Sequence, residues 1–540
     1  MSSSDVKLDL NEEKNVSDLG YSPHSLSDPR VPDPQVLEAG DAPLGVVTAK
    51  TSDYFTLLAS GFALVSDGYQ NNLSTVFNAI FKILYKTQYV SAVSTRVSNA
   101  LLVGEVLGQV VVGLICDRVG RKSAMVGTTL MIVLGGILST ASTVPGADPK
   151  FWMLTVARGI VGVGVGGEYP ACSTSASEVA NEKFGRDRGK VFILVTNLML
   201  SIGGPIVISL CLLILGGSHY KTSSSEYELH KLKYTWRILM GIGIVIPLSV
   251  FYFRLKMMNS KLYRRNALKK STPLGIYGLI LRRYWKTLIG TAGTWFLYDF
   301  VTFPNGIFSS TIIAGVIPGA GLTKTLEWTL LLSILSLPGV FLGAWIVKYT
   351  GRRNLLMMGF SGYIVFGLIV GLSYDKITHV IPAFIVMYGF MQSSGNFGPG
   401  NMEGTISAEA RLFLFSTGEF LVDGEKYSLI PRRSAEPAMA SVLRLARLVR
   451  RLERNALLPY RASDNLGKRY TFIIAACCGL VGVVIAFFFV EDKGKDRLEK
   501  EDELWRQYLV EHGYGDVAMG DGSAGDRKAD ANVEVESLEF

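Results

Sequence analysis

The sequence predicts an all-α integral membrane protein, and three observations predict it. Only 19% of the 540 residues are charged and 49% are hydrophobic, where a soluble chain carries about 25% charged residues. The apolar residues gather in runs of about 18 or more with few charges, long enough to cross a bilayer as helix. The bases fall in alternate connections between those runs, which places these connections in the cytosol.

Eleven spans are expected, near 54–76, 97–116, 124–143, 151–172, 191–214, 236–253, 287–314, 326–347, 355–373, 379–398 and 471–490. Residues 1–50 are polar and rich in Ser, Asp and Pro, with no apolar core. They read as a disordered cytosolic tail, so the first span is expected to act as its own insertion signal. Residues 51–255 form an N-terminal six-span half. Residues 256–286 form a basic cytosolic linker, part of a stretch with ten Lys or Arg from Arg254 to Lys286. Residues 287–403 and 465–490 make up the C-terminal half, and 491–540 an acidic cytosolic tail.

Segment 404–464 breaks this scheme. A twelfth span belongs here, as span 11, yet no window of about 18 residues is free of charge. Instead the chain carries Pro431-Arg432-Arg433 and then Arg444, Arg447, Arg450, Arg451 and Arg454. Residues 441–457 have the spacing of a basic amphipathic helix for a membrane surface or a partner. We read the segment instead as a frameshift or a retained intron. Its flanks, Ala408-Glu409 and Asn465 to Tyr470, are ordinary membrane-protein sequence, and eleven spans would put the carboxyl tail on the wrong side.

Composition also excludes function classes. The net charge of +8 is no nucleic-acid signal, because its bases sit in particular loops. The five cysteines (Cys116, Cys172, Cys211, Cys477 and Cys478) lie in or beside spans without metal-ligand spacing. No nucleotide loop, metal cluster or nucleophile–base pair is present, so an enzyme is not expected. No cofactor or metal is expected either.

Ionisable groups inside a bilayer are costly, so each is a candidate for function. Asp67, Glu105, Glu168 and Asp299 lie within spans, while all five histidines lie outside them or at their edges. Proton handling therefore falls to carboxylates, since low dielectric favours the neutral form of a carboxylic acid. Asp67, in Ser66-Asp-Gly-Tyr-Gln70, either caps a helix break or binds proton or substrate. Glu105 stands between Gly104 and Gly108, where close helix packing is the alternative. Glu168 and Tyr169 follow a glycine-rich run from Gly159 to Gly167 that lets a helix or a substrate approach. Trp295 and Asp299 share one helix face, ahead of Pro304 and Gly306, which should break the helix. Asn396, in Gln392 to Asn401, sits in an expected unwound turn, and Asn197 is a lone amide in span 5. Arg158 is expected near the cytosolic end of span 4, paired with the loop around Asp117.

That loop reads Gly113-Leu-Ile-Cys-Asp117-Arg118-Val-Gly120-Arg121-Lys122, and the turn after span 8 repeats it as Ala344-Trp-Ile-Val-Lys348-Tyr-Thr-Gly351-Arg352-Arg353. Its residues, with two duplicated halves, resemble the loop between spans 2 and 3 of the major facilitator superfamily. The resemblance implies the major facilitator fold of two six-helix halves with substrate near the midplane. It implies a gate built on Gly113, Asp117, Arg118, Gly120, Arg121 and Arg158.

Four motifs narrow the resemblance: Asp67-Gly-Tyr-Gln70, Gly166-Gly-Glu-Tyr-Pro170, the Trp295…Asp299 face, and Asn396-Phe-Gly-Pro399. They resemble the fungal phosphate:proton symporters, most closely the glycerophosphodiester branch of glycerophosphoinositol permeases. The inorganic-phosphate branch has Asp, Tyr and a second Asp where this chain has Glu168, Phe303 and Gln70. The resemblance thus implies a larger phosphodiester rather than inorganic phosphate. It implies a substrate and proton site of Asp67, Gln70, Glu168, Tyr169, Asn197, Trp295, Asp299 and Asn396, with protons as the coupling ion. The family's span 11 also lines the path, and segment 404–464 does not supply one. The expected partners are a small anionic phosphodiester or phosphate and the lipid bilayer, without nucleic acid. The chain is expected to be a monomer in a fungal plasma membrane with its amino terminus in the cytosol. The competing functions are a sugar porter, and a non-transporting nutrient sensor or inactive product if span 11 is lost.

Overall fold

The computed structural model describes residues 51–119, 121–142, 147–183, 188–222, 225–256, 275–317, 321–402 and 464–490, with isolated positions at 319 and between 504 and 512. Among the described residues the elements are all helical. In a bilayer a helix satisfies every backbone polar group within its own segment, which is why apolar runs of this length take that form.

The N-terminal half comprises α1 (Thr51–Leu84), α2 (Ser91–Val119), α3 (Arg121–Thr140), α4 (Ala147–Lys183), α5 (Arg188–Val195), α6 (Asn197–Gly217) and α7 (Glu226–Lys256). The C-terminal half comprises α8 (Gly275–Ile307), α9 (Ser309–Val316), α10 (Leu322–Thr350), α11 (Arg352–Leu372), the single turn α12 (Tyr374–Ile377), α13 (Ile381–Phe397) and α14 (Asp464–Phe489). α5 and α6 form one span, bent at Thr196 (φ −102°, ψ −75°). There the threonine hydroxyl turns back onto the Phe192 carbonyl at 2.7 Å, a bond that bends helices. Among the described residues six stretches are long and apolar enough to cross a membrane unaided: Ser123–Thr140, Arg188–Gly217, Glu226–Tyr252, Leu322–Thr350, Arg352–Leu372 and Arg469–Phe489. α1, α4 and α8 are interrupted instead by the polar residues of the candidate site.

Two expectations about helix ends change. α1 continues to Leu84, because Phe77, Ile80 and Phe81 keep the helical spacing beyond residue 76. Phe81 packs edge-on against Phe151 and Trp236. Asp67 therefore stands in mid-helix rather than near its end. α8 also runs through Pro304 and breaks only at Phe308 (φ −100°, ψ 8°). Pro304 lacks an N–H but still accepts from Phe308 N at 3.0 Å, so the break falls one turn later than expected.

α2 and α4 lie in parallel, almost backbone to backbone. A Cβ on Gly162 would strike the Leu101 carbonyl, and one on Gly108 the Val163 carbonyl. The duplicated turn behaves as its glycine requires. Gly351 joins α10 to α11 with φ 77°, a conformation that costs glycine little. The first copy falls where α2 ends at Val119 and α3 begins at Arg121. Gly120 and the side chains of Gly113, Asp117, Arg118 and Arg121 lie outside the described residues, as do 1–50, 257–274, 403–463 and most of 491–540.

Each half has its own core. Tyr69, Phe77, Phe81, Phe151 and Trp236 centre one, and Phe360, Tyr363, Phe384, Tyr388 and Phe472 the other. The halves also reach into each other. Leu322 and Leu326 of α10 join the N-terminal core, and Ile193 and Leu198 of the fifth span join the C-terminal one.

Candidate transport site

Among the described residues of the N-terminal half, five charged side chains are at most 4% exposed: Asp67 on α1, Glu105 on α2, Arg158 and Glu168 on α4, and Arg254 on α7; Glu228, also buried, pairs with Lys231 near the start of α7. Desolvation on this scale is tolerated only with partners, so their pairing decides what each one does.

Glu168 is held by Arg254. Both guanidinium Nη groups meet its two carboxylate oxygens, Nη2 at 2.9 Å from Oε2. Such a fork is the strong geometry for a carboxylate. Arg254 also donates to the Met125 carbonyl at 3.1 Å and to Thr129 Oγ1, and contacts Cys172 Sγ. It thus ties the end of α7 to α3 and α4. Asp67 faces this pair. Neither of its oxygens has a hydrogen-bond partner, yet it lies close enough to Glu168 for one proton to bridge the two carboxyls.

Arg158 corrects an expectation. Its Nη1 donates to Gln70 Oε1 at 3.2 Å, and its Nη2 to the Gln70 carbonyl at 2.8 Å and Ser74 Oγ at 2.7 Å. Its guanidinium carbon stands 5.2 Å from the Phe77 ring centre. The partners are all on α1, not in the Asp117 loop. The spacing explains why. Gly159 lies beside Ala100, and Asp117 is seventeen residues further along the parallel α2, roughly 25 Å away at 1.5 Å per residue. Because span 4 runs parallel to span 2, Arg158 and the loop occupy opposite ends. The other face of Gln70 donates from Nε2 to the Gly243 carbonyl at 2.9 Å. Its amide therefore joins α1, α4 and α7.

Glu105 has one oxygen without a partner and lies within electrostatic reach of Arg158 and of Asp299 across the interface. On α8, Asp299 stands one turn beyond Trp295, within hydrogen-bonding reach of the indole. Tyr169 lies within electrostatic reach of Asp67, Glu105, Asp299 and Tyr298. Asp67, Glu168, Tyr169 and Asp299 are thereby brought to one region, with Glu105 among them.

The amides form a second group. Asn197, the first residue of α6, donates to Asn401 Oδ1 at 2.7 Å. Asn401 donates in turn to the Val340 carbonyl at 3.2 Å. Tyr298 reaches Asn396 Oδ1 at 3.3 Å, and Asn396 Nδ2 donates to the Ser336 carbonyl at 3.1 Å. Asn197 is thus no lone packing amide, because it bonds across the two halves. At the other end of the bundle Thr75 Oγ1 donates to the Gly306 carbonyl at 2.9 Å, and Ser310 Oγ to the Thr75 carbonyl at 3.0 Å.

Arg254 and Ser310 escaped the sequence, and Asn401 stood in the run Gln392 to Asn401 without being assigned a role of its own. Arg254 lies just past the apolar run 236–253 and counted as a linker base. Asn401 follows a helix break at Gly398, and Ser310 follows the break at Phe308. Nothing in the local pattern separates these residues from surface polar groups.

The comparisons with known proteins converge. Residues 55–412 match the family described as "Sugar (and other) transporter". The chain is 44% identical over 470 residues to glycerophosphoinositol permease 1 of Candida albicans, covering 86% of this chain and 83% of that one. It is 45% identical over 470 residues to glycerophosphoinositol transporter 1 of Saccharomyces cerevisiae, covering 86% and 84%. The proton:xylose symporter XylE of E. coli superposes with a TM-score of 0.57 at 14% identity, over 84% of this chain and 99% of the other. The chain therefore belongs to the sugar (and other) transporter family, a multi-pass membrane transporter of the major facilitator fold and not an enzyme.

Proposed function

We propose that this chain imports glycerophosphoinositol or a related glycerophosphodiester with protons, by alternating access. The observation that carries the substrate is the likeness to two proteins named for glycerophosphoinositol transport. The geometry supplies a chemistry to match. Asp67 is buried without a partner beside Glu168, and Asp299 stands at the interface between halves, so carboxyls are present to take a proton. Arg158 is a buried cation whose hydrogen bonds among the described residues go to Gln70 and Ser74 rather than to a carboxylate. Tyr298, Asn396 and Asn197 offer hydrogen bonds of the kind a polyol headgroup uses.

In this scheme a proton joins Asp67 or Asp299 from outside and reduces repulsion against an anionic substrate. Substrate binds between the halves, which rock to open the other side. Proton and substrate leave into the cytosol, where the membrane potential opposes the return of positive charge. The positive-inside rule puts the start of α1, the α2–α3 junction and the end of α7 on the cytosolic side. A fungal plasma membrane and a monomeric carrier complete the proposal. The Arg-rich segment 404–464 favours a second function, a non-transporting sensor or an inactive product.

Uptake of tritium-labelled glycerophosphoinositol by cells expressing the chain tests this, with and without a protonophore. Accumulation abolished by the protonophore supports symport. Accumulation that the protonophore leaves untouched refutes it.

A further inference from the structure

The proton-coupling proposal leaves open which carboxyl of the Asp67–Glu168 pair carries the proton, and what controls it. Arg254 stands where it can answer both. Its Nη groups bond Glu168, Met125, Thr129 and Cys172, which leaves only Nε without a partner. Asp67 has no donor on either oxygen although it is fully buried. The charged groups facing Asp67 among the described residues are Glu168 on α4, Arg254 on α7 and Glu105 on α2. Glu105 has Arg158 within electrostatic reach, so Asp67 and Glu168 against Arg254 leave one excess negative charge, which a single proton removes. That proton meets least resistance on Asp67, where the ionised form has no hydrogen bond to lose and the neutral form gains a donor toward Glu168.

Resting on the proton-coupling proposal, we infer that Arg254 is a positioning residue for proton coupling. By occupying both oxygens of Glu168 it leaves Asp67 to take the proton, and it links that event to the packing of α3, α4 and α7. When Asp67 is ionised, Arg254 faces two carboxylates instead of one. The end of α7 then has a choice of partners between α1 and α4, helices that must shift for the site to change its access.

The test is the midpoint of uptake against external pH in cells expressing the full chain, with labelled glycerophosphoinositol as the probe and surface amount measured in parallel. Arg254→Gln removes the cation, so the pair holds its proton to higher pH. The midpoint should move alkaline by at least about one pH unit, and net accumulation should fall while exchange of internal for external substrate persists. Glu168→Gln frees Arg254 to turn to Asp67, which then gives up its proton more readily, so the midpoint should move acid. Arg254→Lys keeps the charge and should stay near the wild-type midpoint at a lower rate. A residue that only braces the helices would lower rates without these opposed shifts.

If Arg254→Gln fails to reach the surface, the acid shift of Glu168→Gln and the unshifted Arg254→Lys carry the test. Wild-type uptake that is absent or insensitive to a protonophore overturns the proton-coupling proposal, and this inference with it. Wild-type uptake that is coupled, with the Gln variants unshifted or shifted in one common direction, overturns the role of Arg254 alone.

Discussion

The break in the seventh span gives the contact between halves a strength that can be measured. α8 stops at Ile307 and α9 begins at Ser309. Thr75 donates to the Gly306 carbonyl at 2.9 Å, and Ser310 donates back to the Thr75 carbonyl at 3.0 Å. Thr75→Val keeps the shape and removes one bond, and Ser310→Ala removes the other. A net hydrogen bond of this kind contributes about 1 kcal/mol, so the double variant loses about 2 kcal/mol. Local opening should then become roughly 30-fold more frequent, with each single variant near 5-fold. Hydrogen exchange of a peptide covering 304–313 reads this directly, because the amides of Phe308 and Ile312 bond within it. Exchange should accelerate there and not in the α2–α4 packing. An increase under about 3-fold in the double variant would mean that the bonds do not hold the halves together. Equal acceleration throughout the molecule would mean that they stabilise the whole fold instead.

Other outcomes are expected. Gly162→Ala should lower the thermal midpoint of the purified protein, since its Cβ strikes the Leu101 backbone, at a cost of about 1–3 kcal/mol. Gly127→Ala meets nothing within 4 Å and should be neutral or mildly stabilising, so a matched drop in both would refute the packing explanation. Asn401→Ala strips the partner from Asn197 and should cost about 1–3 kcal/mol, read by the same melting experiment. Asp299→Asn should abolish accumulation of label while substrate exchange survives; retained accumulation would remove Asp299 from the coupling step. Sequencing the mature transcript across codons 404–464 should reveal an apolar, glycine- and alanine-rich span in another frame. Confirmation of the Arg-rich segment would promote the sensor or inactive product.

The helices were legible because the bilayer imposes one solution on a long apolar run, and the family because its loop and carboxylate motifs occupy short windows. Tertiary pairing was less legible. Asp67, Glu168 and Asp299 stood out because a charge inside an apolar run has no trivial explanation. Arg254 did not, because a base at the end of a run resembles every other positive-inside residue. Arg158 was noticed but assigned the wrong partner. Proximity in a membrane bundle depends on the direction of each helix, and counting along α4 from the wrong end moves a residue across the membrane. The break in the seventh span was foreseen from Pro304 but displaced to Phe308, since proline removes one bond without dictating where the helix yields.

The two halves divide their polar residues unequally. Asp67, Glu105, Arg158, Glu168 and Arg254 are buried in the N-terminal half. The buried polar residues described in the C-terminal half are neutral: Thr294, Asn305, Ser309, Ser310, Thr325, Thr329, Ser336 and Asn401. Asp299, the acid facing the interface from that side, is only half-buried. On the proposed function this asymmetry assigns tasks. Most of the charge chemistry, which needs desolvation to be decisive, belongs to the N-terminal half, with Asp299 contributing to it from the other side of the interface. Recognition of hydroxyls, which needs donors and acceptors at fixed places, belongs to the C-terminal half. The two tasks should therefore separate by mutation. Asn396→Ala should raise the KM for glycerophosphoinositol and leave the pH midpoint of uptake in place. Asp67→Asn should remove the pH dependence and the accumulation while substrate exchange keeps a near-normal KM. If Asn396→Ala moves the pH midpoint as far as Arg254→Gln does, the halves are not specialised, and proton and substrate share one site.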